Sequence, residues 1–337
     1  MFSRNRSAKL TVFAMVLISA VLFSLFTVFI HVRYLKIPYL EGDQLRRHLA
    51  VLQGNAPDPW QYRVLSDYAA EGIIQLFTRL AIPHSVAAAF IFFRFIQGVG
   101  IFLFCHFYYR KLGLSTAHSL IGMSILAWGM THANYDSDLQ FSTYFDIIFY
   151  LLAGLAILGN KPLWIIPITL FAALNRENSG LIPFMLFASY LPVGWGTLRF
   201  SERTRPPTKI ILIAAISLTL YAVIFFSLRF ILGPRPVLFP YGHSGLDLLK
   251  YNLFRWITWV QLFGTLGIIP ILAMMSFRQW PPQLRVFFWV IVPIWFLVLM
   301  FLTAAAESRG FLVPQALVFI PGALFLLAHS KEAAEAC

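Results

Sequence analysis

Apolar residues in this chain come in long, nearly unbroken runs rather than in strand-like alternation or helical stripes. "SVAAAFIFFRFIQGVGIFLFCHF" at 85–107 is one of them. Runs of roughly 18–25 apolar residues are the length that carries a helix across a bilayer. Spans are predicted at about 10–30, 84–108, 115–133, 141–158, 162–174, 179–192, 210–232, 253–275, 286–303 and 311–327. The expected fold is therefore all-α: a polytopic transmembrane helical bundle of about ten spans, with residues 1–337 as a single integral membrane domain. The polar gap at 31–83 breaks the pattern. Within it, "GDQLRRHLAVLQG" puts Leu45, Leu49 and Leu52 on one helical face opposite Arg46 and Arg47, as an amphipathic helix lying on the membrane surface does. A second helix is expected in "SDYAAEGIIQLFTRL", capped by Ser66 or Asp67 and presenting Ile73, Phe77 and Leu80 as its apolar face.

Composition agrees with the runs. The chain is 59% hydrophobic and 12% charged, with mean hydropathy +0.74, where a soluble domain carries about 25% charged residues. The net charge of +12 does not point to nucleic acid, because the basic residues sit in short loops between spans. Arg4, Arg6, Lys9, Arg110, Lys111, Lys161, Arg199, Arg203, Arg205, Lys209, Arg278, Arg285 and Lys331 fall on one side, which sets that side and the N-terminus inside. The acids do the opposite: of fourteen, only Glu202, Glu332 and Glu335 lie inside. Acids contribute little to orientation, so this bias has another cause, and an outer site rich in carboxylates is the natural one. The N-terminal run is too long for a cleaved signal peptide and reads as the first span. Cys105 and Cys337 provide neither a disulfide framework nor metal spacing, and the scattered histidines form no zinc pattern.

Two runs are too short. Residues 162–174 make a helix of about 20 Å at 1.5 Å per residue, against an apolar bilayer core of about 30 Å, and 179–192 is about equally short. The "NRENSG" apex between them is expected below the outer surface. A charge at that depth is tolerated only inside protein or against a wet cavity, so Arg176 and Glu177 are expected to line an outward-facing pocket.

Five polar clusters gather on the outer side: "EGD" at 41–43, "QYR" at 61–63, "DSD" at 136–138, "NRE" at 175–177 and "ESR" at 307–309. Five clusters converging on one face form a site-like pattern. Asp43 is the candidate general base, with Glu41 as its competitor; as a plain alternative, Asp43 caps a helix or pairs with Arg46 and Arg47. Asp136 and Asp138 are loop acids that bind substrate or are merely solvated. No metal is assigned, although two carboxylates leave a divalent cation open. Arg63, Arg176 and Arg309 each have the planar fork that grips phosphate. Arg176–Glu177 and Glu307–Arg309 equally read as ion pairs that knit helix ends together.

With these residues in view, the chain resembles the GT-C fold superfamily of polytopic membrane glycosyltransferases. The resemblance rests on a first span, an outer loop that opens with an acid, "PDPWQYRVL", "NRE" after a short span and "ESRGFLVP" before the last one. It covers most of the chain in layout, through short motifs. It implies inverting hexosyl or pentosyl transfer on the outer face of a bacterial inner membrane, without a bound cofactor. The implied donor is a polyprenyl-phosphate-linked sugar held in the lipid bilayer; the acceptor is a glycan, lipid or protein. By the same resemblance Asp43 is the loop acid and Arg63, Arg176 and Arg309 are the phosphate ligands. The stretch "EGDQLRRH" lacks the Tyr that often follows the family's acid, which keeps both Glu41 and Asp43 in play. A transporter or lipid flippase is the rival expectation, and a membrane subunit without chemistry a third.

Overall fold

In the computed structural model of the protein, the first apolar run folds as one long helix, α1 (Phe2–Tyr39). The structure describes residues 2–135, 138–191, 193–194, 199–200, 206–238 and 240–335. α1 is interrupted at Lys36, where φ is +68°. Pro38 follows two residues later; it has no N–H to give to the preceding turn and its ring crowds it. After a single wide turn at Leu40–Gln44, α2 (Leu45–Leu52) and α3 (Val64–Arg79) fold back over the end of the bundle. There follow α4 (Ser85–Lys111), α5 (Thr116–His132), α6 (Phe141–Leu158), α7 (Ile165–Ala173) and α8 (Leu181–Ser189). A two-residue antiparallel ladder, β1 (Val193–Gly194) with β2 (Arg199–Phe200), leads to α9 (Thr208–Leu232). The chain then forms α10 (Gly245–Phe254), α11 (Trp256–Leu266), α12 (Ile269–Met275) and α13 (Pro282–Leu302). The one-turn α14 (Leu312–Pro314), a wide turn at Gln315–Phe319 and α15 (Ile320–Glu335) complete it.

Among the described residues the fold is all-α apart from that ladder, and six helical stretches are long and apolar enough to cross a membrane. A seventh is bent: α11 and α12 together satisfy the same measure but meet at 65° around Gly267, whose φ of +58° a side chain would resist. Three of the expected spans are shorter than the expectation. α5 has 17 residues, while α7 and α8 have nine each.

The two helices of residues 31–83 also differ from the expectation in their buried faces. α2 turns His48 and Val51 inward, with Gln44 just before it, and leaves Leu49 exposed. α3 starts at Val64, so Ser66 lies buried within it instead of capping it, and Leu80 is exposed. In both cases hydrogen-bonded polar side chains take inward positions that a purely apolar stripe would have claimed.

α1 packs on α4 and α5, α4 on α6, α7 and α8 on α9, α8 on α13, and α12 on α15. At the centre, the fully buried Tyr108 and Tyr109 of α4 donate to the carbonyls of Leu317 and Ala316, each at 2.9 Å. The wide turn at Gln315–Phe319 thereby has two of its carbonyls satisfied inside the core. Gly154 of α6 allows this approach, since a Cβ there would stand 2.8 Å from the Tyr108 ring. Because the Tyr108 hydroxyl is tied down, Gly154→Ala is expected to cost about 1–3 kcal/mol through overpacking. A thermal melt in detergent reads this directly, and an unchanged midpoint refutes it.

Candidate functional site

Four of the five polar clusters meet beside α1, α4 and α6, and two carboxylates organise them. The first is Asp138, whose side chain is 3% exposed. Arg47 of α2 donates to its Oδ2 at 2.7 Å, Arg94 of α4 to its Oδ1 at 3.2 Å, and Arg309 to its backbone oxygen. His31 of α1 places Nε2 3.5 Å from the same Oδ1 and is fixed by Asn134 through Nδ1. Arg94 also bonds Gln44 and lies 4.3 Å over the Phe141 ring. Burial alone would raise the Asp138 carboxyl, but Arg94, His31, Arg47 and Arg309 outweigh it and hold it down to about 2. A carboxylate so encircled is a poor base; it is an anchor that collects guanidiniums.

The second is Asp146, one and a half turns into α6. It accepts from Asn175 at 2.8 Å and from Arg176 at 2.8 Å, with Asn178 at 3.4 Å. Asn175 also donates to the Ser142 carbonyl, and Tyr150 of α6 to the Asn178 carbonyl. The "NRENSG" turn is thus sewn onto α6. Arg176 and Glu177 are not partners of each other. Glu177 pairs with Arg63 at 2.6 Å, which joins the turn to the segment before α3. Glu307 pairs with Arg309 and lies within electrostatic range of Arg176, so the two centres form one continuous belt.

Beside the belt a cavity of about 130 Å³ is walled by Gln44, Arg47, His48 and Val51 on one side, and Ala56, Pro57, Trp60 and Arg63 on another. Ser66 and Asp67 of α3 close it against Asp138, Gln140, Phe141 and Ser142. Of the residues expected at the site, Arg63 and Asp138 line this cavity. Arg176, Glu177, Glu307 and Arg309 stand in the belt behind it. Asp136 lies outside the described residues.

Asp43 and Glu41 are elsewhere. Asp43 is more than half exposed and pairs with Arg46, while Glu41 pairs with His84 at 2.8 Å on the surface. The geometry therefore does not turn Asp43 to the cavity: at i+3 on the same helical turn, Arg46 offers it a partner in water instead. Besides Asp138, which its guanidiniums hold, the carboxylate that lines the cavity is Asp67, held through Oδ1 by His48 at 3.1 Å.

Sequence reasoning passed over Arg47, His48, Asp67, Glu71, Arg94 and Asp146. For Arg94 and Asp146 a signal existed, since an ionisable residue inside an apolar run is a site hypothesis by default. For Asp67 the signal was masked by its plausible place at a helix start. Donor capacity remains: among the described residues, Nε of Arg63 and Nε and Nη1 of Arg94 are buried without a hydrogen-bond partner. Also among the described residues, no group of three or more His, Cys, Asp or Glu side chains could hold a metal ion. Chemically, the belt can attract an anion, and Asp67 can accept a proton beside it. Comparison of the chain with protein-family models, curated proteins and solved structures gives no match in any of the three.

Proposed function

We propose that the protein is a membrane glycosyltransferase that moves a sugar from a polyprenyl-phosphate donor to an acceptor hydroxyl. The observation that carries this reading is the cavity wall, where the guanidiniums of Arg47 and Arg63 and the carboxylate of Asp67 are brought together beside an apolar bundle. In the reaction, the acceptor oxygen attacks the anomeric carbon as the bond to the donor phosphate breaks. The phosphate leaves with the electron pair, and Arg47 and Arg63 stabilise its growing charge. Asp67 takes the acceptor's proton, the role expected from the sequence for Asp43 or Glu41. The polyprenyl tail stays in the bilayer.

In this reading the shorter helices complete a bundle of about ten passes, with both termini inside and 31–83 on the outer face of a bacterial inner membrane. Two measurements test it. Cysteines introduced at Asn55 and Ser201 are expected to label from opposite sides of the membrane; labelling from one side overturns the topology. Purified protein, incubated with a panel of polyprenyl-phosphate sugars and glycan or lipid acceptors, is expected to release lipid phosphate from one of them. Release from none counts against the enzyme.

A second reading, transport, is supported by the 65° break between α11 and α12. Broken helices near the middle of a span are a recurrent feature of transporter binding sites. There Gln315 is 1% exposed, donates to the Thr265 carbonyl at 2.9 Å and leaves its Oε1 without a partner. Substrate uptake into protein-loaded vesicles, with no covalent change to the substrate, would decide for transport.

A further inference from the structure

His48 sits at the cavity wall between two carboxylates of α3. Its Nδ1 is 3.1 Å from Oδ1 of Asp67 and its Nε2 is 3.0 Å from Oε2 of Glu71. The ring is 3% exposed and stands edge-on to Phe90 of α4 at 5.7 Å between centroids. A neutral imidazole carries one N–H, so it can donate to only one of these acids. The imidazolium carries two and satisfies both. Asp67 and Glu71 are four residues apart, on one helical face, where like charges repel; a cation between them removes that conflict. The two acids are placed differently. Asp67 lines the cavity, whereas Glu71 does not and turns instead to Gln75, which donates to its Oε1 at 2.9 Å.

We propose that His48, in its doubly protonated form, is the positioning residue that fixes the Asp67 carboxylate at the cavity wall, with Glu71 as its second anchor. The inference rests on the transfer reading given above. Oδ1 of Asp67 is committed to His48, so Oδ2 is the oxygen that accepts the proton from the acceptor hydroxyl. Because α2 and α3 touch, the ring also ties together two walls of the cavity. The groups that face His48 are few: Asp67 and Glu71 from α3, and the uncharged Phe90 from α4. Its neighbour Arg47 turns to Asp138. The hydrogen bond from His48 holds the Glu71 carboxyl below its usual range, against its partial burial, as a cationic donor does. Losing the second proton of His48 frees Asp67 or Glu71, so turnover falls on the alkaline side.

The test is made on the full chain in detergent or nanodiscs. With 15N-labelled histidine, the His48 signals are those lost in His48→Gln. Both its nitrogens are expected to be protonated at pH 7, and Glu71→Gln is expected to move its deprotonation to lower pH. A neutral ring with a single N–H at pH 7 in the wild type overturns the proposal. With a turned-over polyprenyl-phosphate sugar, the alkaline limb of kcat is expected to follow the same deprotonation and shift with it in Glu71→Gln. His48→Gln is expected to lower kcat about 10²-fold with KM little changed. A limb that stays in place in Glu71→Gln, or an unchanged kcat in His48→Gln, overturns the positioning role. A wild type that turns over no donor fails the transfer reading instead, and the nitrogen spectrum alone then decides the clamp.

Discussion

Asp67→Asn is expected to lower sugar transfer by about 10²–10⁴-fold, the range that a positioned general base contributes, while the protein still folds and still binds donor. Asn keeps an oxygen for the His48 N–H and loses only the basicity. Asp43→Asn and Glu41→Gln are the controls, because both side chains lie on the surface outside the cavity wall. Initial rates of lipid-phosphate release for the three variants, with donor binding measured separately, provide the comparison. If Asp43→Asn is the inactive one and Asp67→Asn turns over normally, the base is the residue marked by the family resemblance, and the cavity described here is not where transfer occurs.

The second large effect concerns stability. Asp138→Asn leaves Arg47 and Arg94 without the one carboxylate they share, and Arg94 is only 1% exposed. Removing one partner of a buried ion pair costs about 3–5 kcal/mol, because an uncompensated charge stays behind. A sharply lower melting midpoint, or loss of folded protein from the membrane, is therefore expected. The acid limb of wild-type stability follows from the same carboxylate. Its folded value of about 2 lies below its ordinary 3.8, so its contribution is fully present above 3.8 and is lost as pH falls through about 2. An Asp138→Asn variant that melts with the wild type would mean that the guanidiniums find other partners or water.

How far the sequence carries depends on what kind of contact decides. The apolar runs announce the helices because hydrocarbon forces every backbone group to bond within its own segment, and α4, α6, α9 and α13 follow them closely. Short helices are less legible. α7 and α8 are held by the polar stitching of Asn175 and Arg176 to Asp146, which no hydropathy window contains. The site divides in the same way. Arg63 and Arg309 stand out as charges beside helix ends, and both enter the belt. Which acid each one meets is settled by three-dimensional packing: Arg63 takes Glu177 from 114 residues away, and Arg176 reaches back 30 residues to Asp146. Asp43 was the most visible acid in residues 31–83, and the fold leaves it outside together with Glu41, since a local partner three residues on competes with the distant cavity.

That backward reach of Arg176 has a consequence for how the chain is made. α6 emerges from the ribosome with Asp146 inside it, and the arginine that neutralises it follows only after α7. Until then the carboxyl must either stay protonated or keep α6 from settling in the lipid. The same delay does not burden Asp138, since Arg47 and Arg94 precede it. Synthesis therefore delivers one half of the belt already paired, while the other half waits as a debt until the turn after α7 has been made.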